Sequence, residues 1–115
     1  MPFALVAFSR CVSIEYRTKV MESLPAIIVD ALDVPDHPPA RLTVDDIEAI
    51  VMPDNALNII HKDVNVIVLA NEFEARVRNG QERSDMMREK LRSMLPQGMR
   101  GFVYLRLTPA FYSEF

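Results

Sequence analysis

Short apolar runs along the chain predict four β-strands. Residues 3–8 are all apolar, and residues 64–70 are apolar apart from Asn65. This pattern is typical of strands that are buried on both faces. Residues 101–108 carry large apolar side chains at both odd and even positions, which predicts a further strand with two apolar faces. In residues 42–52 acidic and apolar residues alternate, which predicts a strand with one partly polar face.

Apolar residues at three- and four-residue steps predict two helices. Ser13 is a suitable N-cap for a first helix that ends near Leu32. Pro25 lies inside this helix and removes one backbone hydrogen bond, which predicts a kink rather than two helices. Ser84 is a suitable N-cap for a second helix, which ends near Leu95 before the sequence Pro-Gln-Gly.

The order strand-helix-strand therefore occurs twice in one domain. The single domain covers residues 1–115, with pseudo-repeats of about 1–55 and 63–115. The predicted fold is α+β, in which two βαβ halves form a four-stranded mixed sheet with two helices on one face. The proline-rich residues 34–40 and the charged residues 71–83 are expected to be exposed loops, the latter with some strand extension.

Both faces of the predicted sheet are apolar. In the first strand Phe3 and Leu5 point to one face, and Val6 and Phe8 point to the other. Two helices can cover only one face, and an exposed apolar sheet of this size would aggregate. We therefore expect a second copy of the chain to cover the other face in an obligate homo-oligomer.

Composition excludes several classes of function. The net charge of −3 provides no basic field for nucleic acid, and no apolar run approaches the length of about 20 residues that spans a membrane. The single cysteine, Cys11, excludes an internal disulfide and fits a reducing cytoplasm. Three glycines provide no phosphate-binding loop and two distant histidines no metal cluster, so neither a metal nor a cofactor is expected.

Pro2 is the most unusual candidate for chemistry. If Met1 is removed, Pro2 becomes an N-terminal secondary amine at the tip of a buried strand. An α-amine has a pKa of about 7.7–8.0 in water, and burial or a nearby cation lowers it toward the range of a general base. The alternative is that Pro2 only begins a strand, where the missing N–H costs nothing.

Together these features resemble the tautomerase superfamily, in a branch with an aromatic C-terminal tail. The resemblance rests on Met1-Pro2 directly before a buried strand, on the two βαβ halves, on chain length, and on residues 79–85, which look like the family's strand-to-helix turn. It covers nearly the whole chain, and only Pro2 is diagnostic. It implies a homotrimer that catalyses keto–enol tautomerisation of a small, carboxylate-bearing carbonyl substrate, with Pro2 as base and acid.

The same resemblance implies that arginines hold the substrate carboxylate, since a guanidinium binds it in bidentate geometry. The candidates are Arg10 at the end of the first strand, and Arg76 and Arg78 on one face of an extended segment; Arg41 and Arg106 are weaker ones. Each is alternatively an ordinary solvated surface charge.

The second strand departs from the pattern of the family. The second strand carries Asp46 and Glu48 where some members have an arginine, and a carboxylate near Pro2 would raise the pKa of its amine. Residues 109–115 form the aromatic tail, which either covers a neighbouring pocket or patches the oligomer interface.

Two other hypotheses remain open at the level of sequence. One is a non-catalytic trimer of the same fold that binds a ligand or partner. The other is a ferredoxin-like module with an antiparallel sheet, which has the same order of elements and would bind a small regulatory molecule.

Overall fold

The computed structural model describes residues 2–111 and 113–115. Its four strands are β1 (Phe3–Phe8), β2 (Glu48–Val51), β3 (Val64–Asn71) and β4 (Gly101–Thr108). They form one sheet in the order β2-β1-β3-β4. β1 is parallel to β2, β3 is parallel to β4, and the two central strands are antiparallel. This topology confirms the predicted mixed sheet of two βαβ halves and excludes the antiparallel ferredoxin-like alternative.

The first predicted helix is confirmed as α1 (Ile14–Leu32). The Ser13 Oγ accepts a hydrogen bond from the Tyr16 N–H at 3.5 Å, as an N-cap does. Pro25 lies inside α1 without ending it. Packing of the apolar stripe of this helix on the sheet outweighs the one hydrogen bond that proline removes.

The segment after β3 is more helical than the prediction of an exposed loop. It contains α2 (Glu74–Val77) and the first turn of α3 (Gly80–Ser93). Ser84 is therefore not an N-cap, and its hydroxyl donates instead to the Val103 carbonyl of β4 at 3.3 Å. The prediction was wrong here because the charged pattern of this segment hid the buried contacts that fold it, which are described below.

The second strand is shorter than predicted. Before Glu48, residues Val44–Asp46 form a 3₁₀ turn. The Asp46 carboxylate accepts hydrogen bonds from the backbone N–H of Thr43 at 2.7 Å and from its hydroxyl at 3.2 Å. This local capping competes with strand pairing, so β2 begins only at Glu48.

One face of the sheet packs against α1 and α3. Alternate residues of the central strands are buried there, among them Val6, Phe8, Val66 and Val68. The opposite face has no helix over it within the described residues, and we call it the open face. Ile67 at its centre is 37% exposed and Tyr104 on β4 is 58% exposed. No described helix is both long enough and apolar enough to cross a membrane.

Asp63 ties three strands together at one end of the sheet. Its carboxylate accepts hydrogen bonds from the Ser9 hydroxyl at 2.9 Å and from the Arg100 N–H at 3.0 Å. Its backbone carbonyl also accepts from the Ser9 N–H at 2.9 Å.

At the same end of the sheet β4 approaches β3 so closely that a Cβ on Gly101 would lie 2.5 Å from the Val64 carbonyl oxygen. This position therefore requires glycine.

Candidate functional site

Pro2 lies at the opposite end of the sheet, immediately before β1. It is fully buried, and its carbonyl accepts a hydrogen bond from the Glu48 N–H at 3.3 Å. Phe3 pairs with Leu69, so Pro2 lies beside the last residues of β3. We call this region the Pro2 end of the sheet: the starts of β1 and β2 and the ends of β3 and β4.

Arg76 is buried at the Pro2 end, with 2% of its surface exposed. Its guanidinium donates to three backbone carbonyls: Leu32 at 2.9 Å, Ala40 at 3.0 Å and Asn71 at 3.1 Å. It also lies 5.0 Å from the centre of the Phe73 ring. Burial first, and then the positive charge of Arg83, lower the pKa of Arg76. The cation therefore joins the end of α1, the following loop and the end of β3.

Arg83 completes the same cluster, a role that was not predicted from the sequence. It donates to the Ala31 carbonyl at 2.7 Å, to the Asn79 side chain at 2.7 Å and to the Ala75 carbonyl at 3.3 Å. The signal was in α1, which has no basic residue in its last turn. Its terminal carbonyls therefore need donors from elsewhere in the chain, and Arg76 and Arg83 supply them.

The predicted arginines do not form one group in a single chain. The expected extended segment is helical, so Arg76 lies in α2 while Arg78 is the exposed residue that ends it. Arg10 lies beyond the far end of β1, where it lines a cavity of about 320 Å³ with Ser9 and Asp54. Six strand steps of about 3.3 Å separate Pro2 from Phe8, so Arg10 lies at least about 20 Å from Pro2 in its own chain.

The open face beside Pro2 carries one residue of each charge. The pairings Phe3–Glu48, Phe3–Leu69 and Leu69–Arg106 place these four side chains in one row across the sheet. Glu48 lies on β2, next to Phe3 of β1, and Arg106 lies on the outer strand β4. The row therefore presents a carboxylate on one side of the Pro2 end, an apolar centre and a guanidinium on the other side.

Metal binding has no support in the described part of the chain. No group of three or more histidine, cysteine or acidic side chains there could hold an ion.

A second, larger cavity of about 710 Å³ lies between the end of α3 and the start of β4, away from Pro2. Pro2 lines neither cavity in the single chain.

Comparison with known proteins identifies the fold. No family model and no curated protein matches the sequence. Among solved structures, a fused 4-OT trimer matches with a TM-score of 0.64 at 13% identity, over 93% of this chain and 86% of that chain. A macrophage migration inhibitory factor-like protein from Entamoeba histolytica matches with a TM-score of 0.59 at 15% identity, over 95% and 88% of the chains.

A malonate semialdehyde decarboxylase inhibited by 3-bromopropiolate matches with a TM-score of 0.62 at 14% identity, over 93% of this chain and 83% of that one. These proteins are members of the tautomerase superfamily. The chain described here therefore has the tautomerase fold, as the resemblance in its sequence predicted.

Proposed function

We propose that this chain, which has the tautomerase fold, is a keto–enol tautomerase for a small carbonyl compound that bears a carboxylate. The observation that carries the proposal is the place of Pro2, buried at the start of a central strand of that fold. Similar structures include a decarboxylase and a member of a dehalogenase family. The decarboxylase is inhibited by 3-bromopropiolate, and a further similar structure is inactivated by 2-oxo-3-pentynoate. Both compounds carry a carboxylate, which supports this substrate class.

The reaction requires Pro2 to be the first residue, which depends on removal of Met1, a residue outside the described part of the chain. The free ring nitrogen then accepts the enol hydroxyl proton and delivers a proton to the neighbouring carbon, which yields the keto form. Burial of Pro2 disfavours the charged, protonated form of a free amine, which suits a general base.

The three predicted arginines take different places in this proposal. The Arg78 side chain is exposed in the segment that follows β3 and forms no ion pair with the described residues, so in this proposal it is free to hold a substrate carboxylate. Arg10 would contribute only from a neighbouring copy. Arg76, proposed from the sequence as a substrate ligand, has three carbonyl partners already and supports the wall of the site.

We also propose a homotrimer in which the open face of each sheet packs against its neighbours. The half-exposed apolar residues of that face, including Leu5, Ile67 and Tyr104, support this assembly, and solved 4-OT relatives of the fold are trimers. A neighbouring copy would also close the Pro2 end, which neither of the two cavities described above includes. The lone exposed thiol of Cys11 supports a cytoplasmic location.

Replacement of Pro2 tests the proposal directly. We expect the native protein to catalyse enol–keto exchange of an aryl enolpyruvate, followed by ultraviolet absorbance, and Pro2→Ala to lose at least about a hundredfold of that rate. Intact mass must first show that Met1 is absent from both proteins. Equal rates for the two proteins would exclude Pro2 as the base.

A non-catalytic ligand-binding trimer is the second candidate, favoured by the position of both cavities away from Pro2. It predicts that an enolpyruvate or related carboxylate binds equally to the native protein and to Pro2→Ala, with no exchange in either. Calorimetric titration of both proteins separates the two functions.

A further inference from the structure

The described structure contains a groove whose apolar and charged residues complement those of the C-terminal segment of the same chain. The groove lies between the end of α3 and the start of β4 and has a volume of about 710 Å³, within the range of about 300–1,000 Å³ typical of ligand pockets. Its lining includes the apolar side chains of Leu95, Met99 and Phe102. We call it the α3–β4 groove.

The rim of the α3–β4 groove is basic. Four cationic side chains line it against the single carboxylate of Glu89: Lys62, Arg88, Arg92 and Arg100. Glu89 pairs with Arg88 at 3.1 Å and with Arg92 at 3.9 Å. Arg88 also pairs with Asp85 at 3.2 Å, and Asp63 lies next to Arg100. Lys62 and Arg100 form no ion pair with any described residue. The groove thus carries excess positive charge in a chain whose net charge is −3.

Residues 109–115 have the complementary composition. Phe111 and Phe115 are fully exposed, and Glu114 contributes a negative charge in a segment with no basic residue. Aromatic side chains left in water forgo a large hydrophobic contribution, so a segment of this kind is stabilised by an apolar surface. We call residues 109–115 the tail.

The tail cannot place Phe111 in the groove of its own chain. β4 runs from the groove at Gly101 to the start of the tail at Thr108, seven steps of about 3.3 Å, or about 23 Å. Phe111 is only three residues beyond Thr108, and three extended residues span at most about 11 Å. A groove that accepts Phe111 must therefore belong to another molecule.

We propose that the tail of one copy occupies the α3–β4 groove of a second copy. The aromatic side chains of the tail pack on the apolar floor, and Glu114 lies among the cations of the rim. This contact does not depend on whether Pro2 is catalytic.

Pairwise cross-linking between two different variants tests this contact. In a Cys11→Ser background, one protein carries Ser113→Cys in the tail and the other carries Ser93→Cys in the groove lining. We expect mixing and mild oxidation to give a disulfide between the two proteins. The matched control replaces Ser93→Cys with Glu22→Cys, at an exposed position on α1 outside the groove, and should give at least about tenfold less product.

Charge reversal on the rim provides a second measurement. We expect Arg92→Glu with Arg100→Glu, added to the groove protein, to reduce the cross-link about fivefold or more while its thermal unfolding stays cooperative. Equal cross-linking at the groove and at the control position would overturn the proposal. It would also be overturned if only a double variant, Ser93→Cys with Ser113→Cys, formed a disulfide within one chain. Native mass spectrometry that finds a small molecule in the groove and no cross-link would assign a different occupant.

Discussion

The guanidinium of Arg76 joins three segments of backbone that no local interaction would hold together. Its partners, Leu32, Ala40 and Asn71, end a helix, a loop turn and a strand at the Pro2 end. The sequence marks Arg76 and Arg78 as equivalent charged residues two positions apart. Only the tertiary fold separates them, because it buries one of them and leaves the other in water.

Substitution of Arg76 should therefore affect stability, whereas substitution of Arg78 should not. We expect Arg76→Met, which keeps the apolar stem, to lower the free energy of unfolding by about 3 kcal/mol, because two buried carbonyls and one partly buried carbonyl lose a charged donor. The matched control, Arg78→Ala, should change it by less than about 0.5 kcal/mol. Urea unfolding of the three proteins measures both effects.

If Arg78 holds the substrate, the same control protein also reports on function. Arg78→Ala should raise KM for the aryl enolpyruvate at unchanged stability, as expected when an exposed carboxylate ligand is lost. A large loss of stability in Arg78→Ala, with none in Arg76→Met, would reverse these two assignments.

Among the helices and strands, hydrophobic periodicity correctly predicted the type of element where the pattern was strong. The predicted strand at residues 101–108 and the helix ending at Leu32 agree with the structure. Periodicity failed where polar side chains decide the geometry. Asp46 folds the start of the predicted second strand into a turn, and the burial of Arg76 makes its segment helical. Such contacts depend on distant partners that a local pattern does not contain.

Asp63 links three of these elements, and its ionisation should make stability depend on pH. Hydrogen bonds from the Arg100 N–H and the Ser9 hydroxyl lower the pKa of its carboxyl. A carboxyl with a lowered pKa in the folded state adds stability above its unfolded pKa of about 3.9, and this contribution is lost as the pH falls through the folded value.

We therefore expect Asp63→Asn to be less stable than the native protein at pH 7 by no more than about 1 kcal/mol, because solvent screens this largely exposed carboxylate. The difference should shrink as the pH falls below about 4, since the native carboxyl is then protonated as well. Urea unfolding at pH 7, 4 and 3 measures it, with Asp36→Asn in an exposed loop as the control. A difference that stays constant with pH would mean that the charge of Asp63 does not contribute.

For the whole molecule, the two faces of the sheet have different environments. Val66 and Val68 on β3 are fully buried under the helices, whereas Ile67 between them is 37% exposed on the open face. The alternation of apolar residues in the sequence predicted two apolar faces, and the structure leaves one of them uncovered in a single chain. The geometry of the complete site could not be predicted in this way, because a neighbouring copy would contribute to it.

Charge at the centre of the open face should separate the copies. Ile67 lies between Leu5 and Tyr104 in one cross-strand row, so copies of Ile67→Lys would bring ammonium groups into an apolar contact. We expect light scattering to give a native particle of near three times 13.1 kDa and an Ile67→Lys particle of near 13.1 kDa.

Met86→Lys is the matched control, because Met86 is similarly exposed at 45% but lies on α3, away from the open face. It should leave the particle mass unchanged. If Pro2 acts in a site that a neighbour completes, Ile67→Lys should also lose enol–keto exchange while Met86→Lys retains it. A native protein that is monomeric at micromolar concentration would contradict the trimer, and an active Ile67→Lys monomer would confine catalysis to the single chain.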